Sequence, residues 1–306
     1  MSYELRAGET FGDGVLRVCC EQIKGAIVAS RARPQDGVSP VHATRRHLKK
    51  ARAALRLMSR HVRSKDFKRE HRHLRDVGRL ISEVRDAEVR LGTVRHLRAQ
   101  SRMQDDPALA ATEDLLSFEL DNFFAACSDW QKEAQATLTG VRKRMAQWHL
   151  VHLDCKQIRC VVQRTYRRGR QTLAVATGKP TADNFHEFRK QVKELSFHLR
   201  ILRPLHPPTF APLSEELKTL GEHLGQANDL AFLEDRLVAL HDHQGSRESL
   251  QKLSVLIKRR AKNLQAAARD LGGKFYAKPA KEFGQQIARH FETWHEANPA
   301  TGRSKH

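Results

Sequence analysis

The sequence feature that most constrains the fold is an amphipathic helical pattern that occurs twice. The first copy is VHATRRHLKKARAALRLM, which begins at Val41, and the second is FHEFRKQVKELSFHLRIL, which begins at Phe185. In both copies the apolar residues recur every three or four positions, as they do on the buried side of a helix, and Leu55 matches Leu199. A match of this length predicts two copies of one helical unit.

The segment that follows each copy is repeated as well. LRDVGRLISEVRD, from Leu74, matches LKTLGEHLGQAND, from Leu217, with a glycine and an aspartate in register. We therefore predict two related halves, about 1–146 and 147–306, within one domain that spans 1–306. Two halves that each carry a basic helix can face each other across a pseudo-twofold axis.

Helical periodicity dominates from Asp13 to about Asn298, without convincing strand-like alternation. We predict an all-α fold in which the helices break where Gly and Pro cluster. The predicted helices are residues 13–31, 39–63, 66–82, 83–101, 108–146, 149–176, 182–203, 212–225, 229–243, 246–271 and 278–297.

The basic residues of each repeated helix fall on one side of a helical wheel, within about 120° in the first copy. The first basic face consists of His42, Arg45, Arg46, Lys49, Arg52 and Arg56, and the second basic face consists of His186, Arg189, Lys190, Lys193 and Arg200. A solvated helix face normally pairs acids with bases, and each pair stabilises the helix by about 0.2–0.5 kcal/mol. The first face contains no acid, and Glu187 and Glu194 lie off the second. We interpret the faces as an anion-binding site instead of ordinary solvated surface.

Histidines and aspartates also recur at matching positions. His42 and His186 open the two faces at a helix N-terminus, where free N–H groups and the helix dipole favour anions. A histidine there can donate to a phosphate oxygen, more strongly when it is protonated. Asp86 and Asp229 either orient a neighbouring Arg or Lys or have an ordinary role at a helix start.

The formal net charge of +20 implies a polyanionic partner, such as nucleic acid, an anionic membrane surface or free polyphosphate. Single-stranded nucleic acid is disfavoured because neither basic face carries a Trp or Tyr on which bases could stack. Duplex DNA stays possible because backbone binding needs only charge. No run of about 18 apolar residues occurs, so we expect no transmembrane span.

The cysteines and the N-terminus favour the cytoplasm. The cysteines are odd in number and form no CxxC motif: Cys19, Cys20, Cys127, Cys155 and Cys160. The N-terminal MSYELRAGETFGDG lacks the apolar region of a signal peptide.

Motifs for catalysis are sparse. GxxxxGK[ST], GxSxG and GxGxxG are not found. The enzyme alternative is a metal-dependent phosphohydrolase built on His241-Asp242, with His223 and a further Asp as loosely spaced partners. The histidine pairs at 71/73, 149/152 and 241/243 lack Cys or carboxylate partners at ligand spacing. We therefore expect no catalytic residue, no metal site and no cofactor, so that an anion is bound and not cleaved.

The pattern His-x-x-Arg-(Arg/Lys)-x-x-Lys, which begins at His42 and again at His186, resembles the CHAD family, the conserved histidine α-helical domain. The segments from Leu74 and Leu217, and TYRRGRQTLAVA from Thr165, resemble that family too. The resemblance covers almost the whole chain. It implies two four-helix bundles related by pseudo-symmetry, with a basic groove or pore between them that binds inorganic polyphosphate.

The resemblance implies a ligand set made of both basic faces together with Arg75 and Lys218. The sequence departs from the repeat at Ser196, which stands opposite Arg52, and at Asn228, opposite Arg85, so the second half carries less charge. Our hypothesis is a non-catalytic polyphosphate-binding protein of the cytoplasm, with polyphosphate granules as a further expected location. The alternative is a histone-like, sequence-nonspecific DNA-binding protein; otherwise nucleic acid is expected only as a weaker electrostatic competitor.

Overall fold

The computed structural model describes residues 2–32, 39–100, 106–148, 150, 155–241 and 247–297. Within these residues every regular element is helical, so the all-α prediction is confirmed. The α-helices are α1 (Phe11–Arg31), α2 (Pro40–Leu57), α3 (Ser64–Leu80), α4 (Ser82–Gln100), α5 (Pro107–Ala126), α6 (Trp130–Met145), α7 (Cys155–Gly178), α8 (Ala182–Leu202), α9 (Pro207–His241), α10 (Arg247–Phe275) and α11 (Ala280–Ala297), with a 3-10 turn at Arg203–Leu205. None of the described helices is long and apolar enough to cross a membrane.

Several predicted helix boundaries differ from the structure: the helix predicted over 39–63 ends at Leu57, and two predictions differ in the number of helices. The predicted helix 108–146 is divided by a turn at 127–129, which separates α5 from α6. This turn contains no Gly or Pro, so periodicity alone does not reveal it. In contrast, the predicted helices 212–225 and 229–243 form the single helix α9. Leu224, Ala227 and Leu230 are all buried across the predicted break, and this continuous packing keeps the helix intact.

The repeated helices α2 and α8 are both capped and both buried on one side. The Ser39 hydroxyl accepts from the backbone N–H of His42 at 3.2 Å, ahead of Pro40, the first residue of α2. The Thr181 hydroxyl accepts from the N–H of Asn184 at 3.3 Å and caps α8. Helix α2 packs on α1 and α3, helix α8 packs on α7 and α9, and the two pack on each other.

The apolar core crosses the boundary between the predicted halves. The larger cluster draws on α1 to α4, α6 to α11 and the 3-10 turn, with Phe188 and Leu55 fully buried. A smaller cluster joins α4 and α5 to α9 and α10, through residues such as Val94 and Leu233. The halves therefore share both clusters. Their pseudo-twofold relation, and a groove between two four-helix bundles, stay predictions.

One buried carboxylate ties α3 to α6. Glu70 is fully buried, and Arg144 donates to its two oxygens through Nε at 2.8 Å and Nη2 at 2.7 Å. Arg69 Nε donates to the same carboxylate at 2.6 Å. Burial raises the pKa of Glu70, but the hydrogen bonds from Arg144 and Arg69 outweigh burial and lower the pKa below its ordinary 4.5.

Loss of this carboxylate should destabilise the fold. We expect Glu70→Gln to lower the melting temperature by about 4–8 °C at neutral pH, which corresponds to roughly 2 kcal/mol for charged hydrogen bonds to a partly exposed Arg144. Because the native pKa is depressed, the stabilisation is complete above the unfolded value of 4.5 and is lost as the pH falls through the native value. Thermal unfolding followed by circular dichroism at neutral and acidic pH measures both effects.

The matched control is Glu215→Gln, because Glu215 pairs with Lys218 on an exposed surface. This variant should unfold close to the wild-type temperature. Equal losses in the two variants would show that the change in net charge, and not the buried contact, sets the stability.

Candidate functional site

The two basic faces meet where α2 packs on α8. Burial, followed by the charges of four neighbouring cations, lowers the pKa of one lysine, Lys49, to about 8. These residues come from α2, α4 and α8, and we call them the central cluster: Arg45, Lys49, Arg85, Arg189 and Lys193. Cations from both sides of the predicted repeat boundary therefore lie within electrostatic reach of one another.

Lys49 combines two properties that seldom occur together. Its side chain is exposed to water, yet the surrounding protein desolvates its ammonium enough to dominate the pKa shift. The side chain therefore reaches water, while protein atoms displace part of the water around its ammonium. Charge in such a place is held at the expense of stability, since like charges with little solvent between them repel strongly.

Backbone and aspartate contacts hold the arginines of the cluster. Arg45 donates through Nη1 to the carbonyl oxygen of Gly78 at 2.9 Å. Burial lowers the pKa of Arg45, and the charge of Asp86 partly offsets this. Arg189 has the same balance, with Asp229 as the offsetting carboxylate. Both aspartates lie beyond the first turns of their helices, so their position favours orientation of an arginine over a role at a helix start.

Glycine makes room for the α8 cations. A Cβ atom at Gly221 of α9 would lie 3.0 Å from Nζ of Lys193, and one at Gly225 would lie 3.7 Å from Nη2 of Arg189. A larger residue at Gly221 would therefore displace the lysine. Glycine in the interior of a helix lowers helix stability. The space that Gly221 and Gly225 leave for the two cations of α8 accounts for their presence in α9.

Some arginine Nε atoms are buried without a hydrogen-bond acceptor in the described part of the chain, both inside and outside the predicted basic faces. The Nε atoms of Arg52 and Arg189 are buried, and no hydrogen-bond acceptor for them occurs among the residues that the structure describes. Buried donors are normally paired, because an unpaired one loses its hydration without compensation. Both arginines belong to the predicted basic faces, whereas Arg90 and Arg159, whose Nε atoms are buried without an acceptor among the described residues as well, do not.

Beyond the central cluster, the first basic face continues to a histidine of α3. Arg56 donates through Nη1 to Nε2 of His71 at 3.1 Å, so that this nitrogen must act as the acceptor. Burial, then Arg52, Arg56 and Arg75, lowers the pKa of His71 to about 4, which keeps it neutral. From the sequence we considered His71 only as a possible metal ligand and did not connect it with the basic face. Its position one helical turn before Arg75 is the signal that could have placed it here.

The first basic face does have an acid beside it. Arg56 Nε lies 2.8 Å from Oε1 of Glu194, which is on α8. Glu194 lies off the basic face of its own helix, as predicted, but it reaches across to α2. A wheel drawn for a single helix does not show such contacts between helices.

Three of the predicted basic residues make contacts outside the central cluster. Lys190 pairs with Glu187 at 2.5 Å and Lys218 pairs with Glu215 at 3.2 Å, and both pairs are exposed. The guanidinium of Arg200 lies 6.0 Å from the ring centre of Tyr3.

Two other predicted basic residues lie along the edges of the site. Arg46 is exposed on α2 and acts on the pKa values of His42, His47 and Lys50. Arg75 pairs with Asp76 at 3.0 Å.

The two opening histidines differ from each other. Burial, followed by Arg85, Arg46 and Lys49, lowers the pKa of His42 to about 4. His42 is therefore neutral in the free protein, and the protonated form considered above is disfavoured. Nδ1 of His186 forms a hydrogen bond with the side-chain oxygen of Asn228. Asn228 thus holds the histidine of the second half, at the position where the first half has Arg85.

Metal ligation finds no support in the described part of the chain. Within it, no group of three or more His, Cys, Asp or Glu is placed to hold a metal ion. His73 instead lies 3.4 Å from the buried Glu70. Asp242 and the histidines at 149, 152 and 243 lie outside the described residues, as does the side chain of His241.

A family model described as CHAD domain matches residues 16–238. The chain belongs to the CHAD domain family. The resemblance seen in the doubled motif is therefore confirmed. A crystal structure of the CHAD domain from the plant Ricinus communis is similar in fold, with a TM-score of 0.60, 16% sequence identity, and coverage of 90% of this chain and 93% of that chain. A search of curated proteins finds no match.

The central cluster lies wholly within the matched CHAD region, because α2, α4 and α8 all fall between residues 16 and 238. Helices α10 and α11 follow that region and contribute none of the predicted ligand residues. They supply packing surface for α7 and α9 instead.

Removal of the Lys49 charge should stabilise the free CHAD domain. We expect Lys49→Met to raise the melting temperature by a few degrees at neutral pH, because methionine keeps an aliphatic chain and removes the ammonium. The native pKa of about 8 lies below the ordinary 10.5, so wild-type stability rises with pH between these values. The advantage of the variant should shrink over that interval in thermal unfolding measurements.

Lys262→Met is the control, because Lys262 is exposed on α10, outside the central cluster. It should leave the melting temperature nearly unchanged. Comparable gains from both variants would attribute the effect to net charge alone.

Proposed function

We propose that this CHAD domain binds inorganic polyphosphate at the central cluster and along the first basic face, without cleaving it. The observation that carries the proposal is the packing of α2 on α8, which brings Lys49 within electrostatic reach of Arg189 and Lys193. These cations converge from different helices and lower the stability of the free protein. A bound polyanion would neutralise the cluster and would supply acceptors for the buried Nε atoms of Arg52 and Arg189.

The shape of the array favours a chain of phosphates over a single one. Arg45, Lys49, Arg52 and Arg56 follow one another along α2 over about 16 Å, at a rise of about 1.5 Å per residue. Polyphosphate is a flexible chain of singly charged units without bases. Arginine forks can each hold two phosphate oxygens, and lysines act as point charges that adjust to the chain.

Duplex DNA is the competing ligand. It needs only backbone contacts, which this cluster could offer. However, Arg45 and Arg189 are only partly exposed, because neighbouring parts of the protein cover part of each side chain. A thin flexible chain reaches partly covered cations more easily than the broad surface of a duplex does. The proposal therefore ranks DNA as the weaker ligand.

The proposal includes a cytoplasmic location, with polyphosphate granules as a site of association. No disulfide bond joins any two of the described cysteines, which supports a reducing compartment.

Titration calorimetry with long-chain polyphosphate at about 0.15 M salt, with and without competing duplex DNA of matched charge, tests the ligand. We expect tight binding that DNA displaces poorly. The double variant Arg45→Glu with Arg189→Glu should weaken binding by at least about 100-fold, because two favourable contacts become repulsive.

The control carries the same change of charge at exposed residues of α10, Arg259→Glu with Lys262→Glu. A small loss is expected there. Equal losses would show that overall charge governs binding, and easy displacement by DNA would favour the DNA-binding alternative.

The affinity should fall as the pH rises above about 8. Below this pH, Lys49 is protonated in both the free and the bound protein. A bound polyanion would return its pKa toward the ordinary 10.5, so between these values only the complex keeps the proton and binding weakens. Calorimetry at a series of pH values measures the decline.

Lys49→Arg is the matched variant, because arginine stays charged over this range. Its affinity should decline less steeply than that of the wild type, with the remaining slope due to Lys193 and Lys50, whose pKa values burial also lowers. An equally steep decline would exclude Lys49 as the titrating group.

A further inference from the structure

The ion pair between Arg56 and Glu194 is a cation–carboxylate contact within the predicted ligand set. It joins α2 to α8 at 2.8 Å, and the two side chains are 27% and 16% exposed. Arg56 also donates to His71, so its guanidinium is held on two sides. The carboxylate thus takes one of the positions that an anion bound along α2 would use.

Other cations also converge on this carboxylate. Glu194 acts on the pKa of Arg52 from α2 and on that of Arg164 from α7. Arg164 in turn lies near Arg60 and Arg168. Arginines of two helices therefore surround a single, largely buried acid, much as they would surround a phosphate group.

We infer that Glu194 is a specificity-determining residue that occupies the Arg56 end of the site until a polyanion displaces it. This inference rests on the proposed function. A carboxylate fixed on the protein competes at a high effective concentration, so a small anion arriving alone displaces it poorly. A polyphosphate chain already held at the central cluster also brings its next units at high effective concentration, because Lys49 and Arg56 are only about 10 Å apart along α2.

The first measurement is the affinity of Glu194→Gln for long-chain polyphosphate. We expect it to bind on the order of tenfold more tightly than the wild type, because the competing negative charge is removed while the volume of the side chain is kept. The control is Glu292→Gln, which makes the same change of charge at an exposed residue of α11, outside the predicted ligand set. The control should bind like the wild type. Equal affinities of the two variants, or weaker binding by Glu194→Gln, would overturn the inference.

A double-mutant cycle with Arg56→Gln separates competition from a structural role. Arg56→Gln should cost little affinity in the wild-type background, where Glu194 already occupies the guanidinium, and clearly more in the Glu194→Gln background. Equal costs in both backgrounds would contradict competition. Thermal unfolding of each variant is the control that checks whether the fold is kept.

If Glu194→Gln does not fold, the inference can be tested by comparing Arg56→Gln with Arg45→Gln. Arg56→Gln alone should then weaken binding less than Arg45→Gln, because Arg45 donates to a neutral carbonyl instead of a carboxylate. Equal or larger losses at Arg56 would overturn the inference. Absence of polyphosphate binding by the wild type would overturn the proposed function and this inference with it.

Discussion

Repulsion among cations at the contact between α2 and α8 is the constraint on which the site depends. The apolar residues of each helix, such as Leu55 and Phe188, are fully buried and fix how the two helices lie. Their basic sides cannot then turn away from each other without exposing the core. The resulting crowding lowers the pKa of Lys49, and it persists because burial of the apolar sides contributes more free energy than the repulsion removes.

Buried charge occurs in two different environments in this protein, one fully hydrogen-bonded and one only partly compensated. Glu70 is fully buried, but Arg144 and Arg69 satisfy both of its oxygens, so the charge holds α3 and α6 together. At the central cluster, Asp86 and Asp229 offset the burial of Arg45 and Arg189 only in part. A buried charge that is fully hydrogen-bonded, like that of Glu70, stabilises the fold. Partly compensated charge of the second kind leaves the free protein less stable, and a ligand that binds only the native state would return that stability.

Features that repeat along a single helix could be predicted from the sequence. Contacts between side chains of different helices could not. The all-α fold and the CHAD motif follow from residues spaced by helical periodicity from His42 and from His186, which is a local property. The contact of Glu194 with Arg56 and the place of His71 depend on how α8 and α3 lie against α2, which periodicity does not determine. The continuity of α9 was missed for the same reason, since packing of its leucines overrides the local break.

The proposed selectivity follows from rigidity combined with internal competition. The cations of α2 are set in line by a capped, buried helix, so little conformational entropy is lost when they bind. Charge alone would then hold any polyanion, DNA included. Partly covered arginines favour a thin chain, and the Glu194 carboxylate penalises every ligand that cannot deliver several phosphates together. Under this proposal, the protein would lose affinity at Arg56 and gain discrimination between ligands, which a uniformly basic surface could not provide.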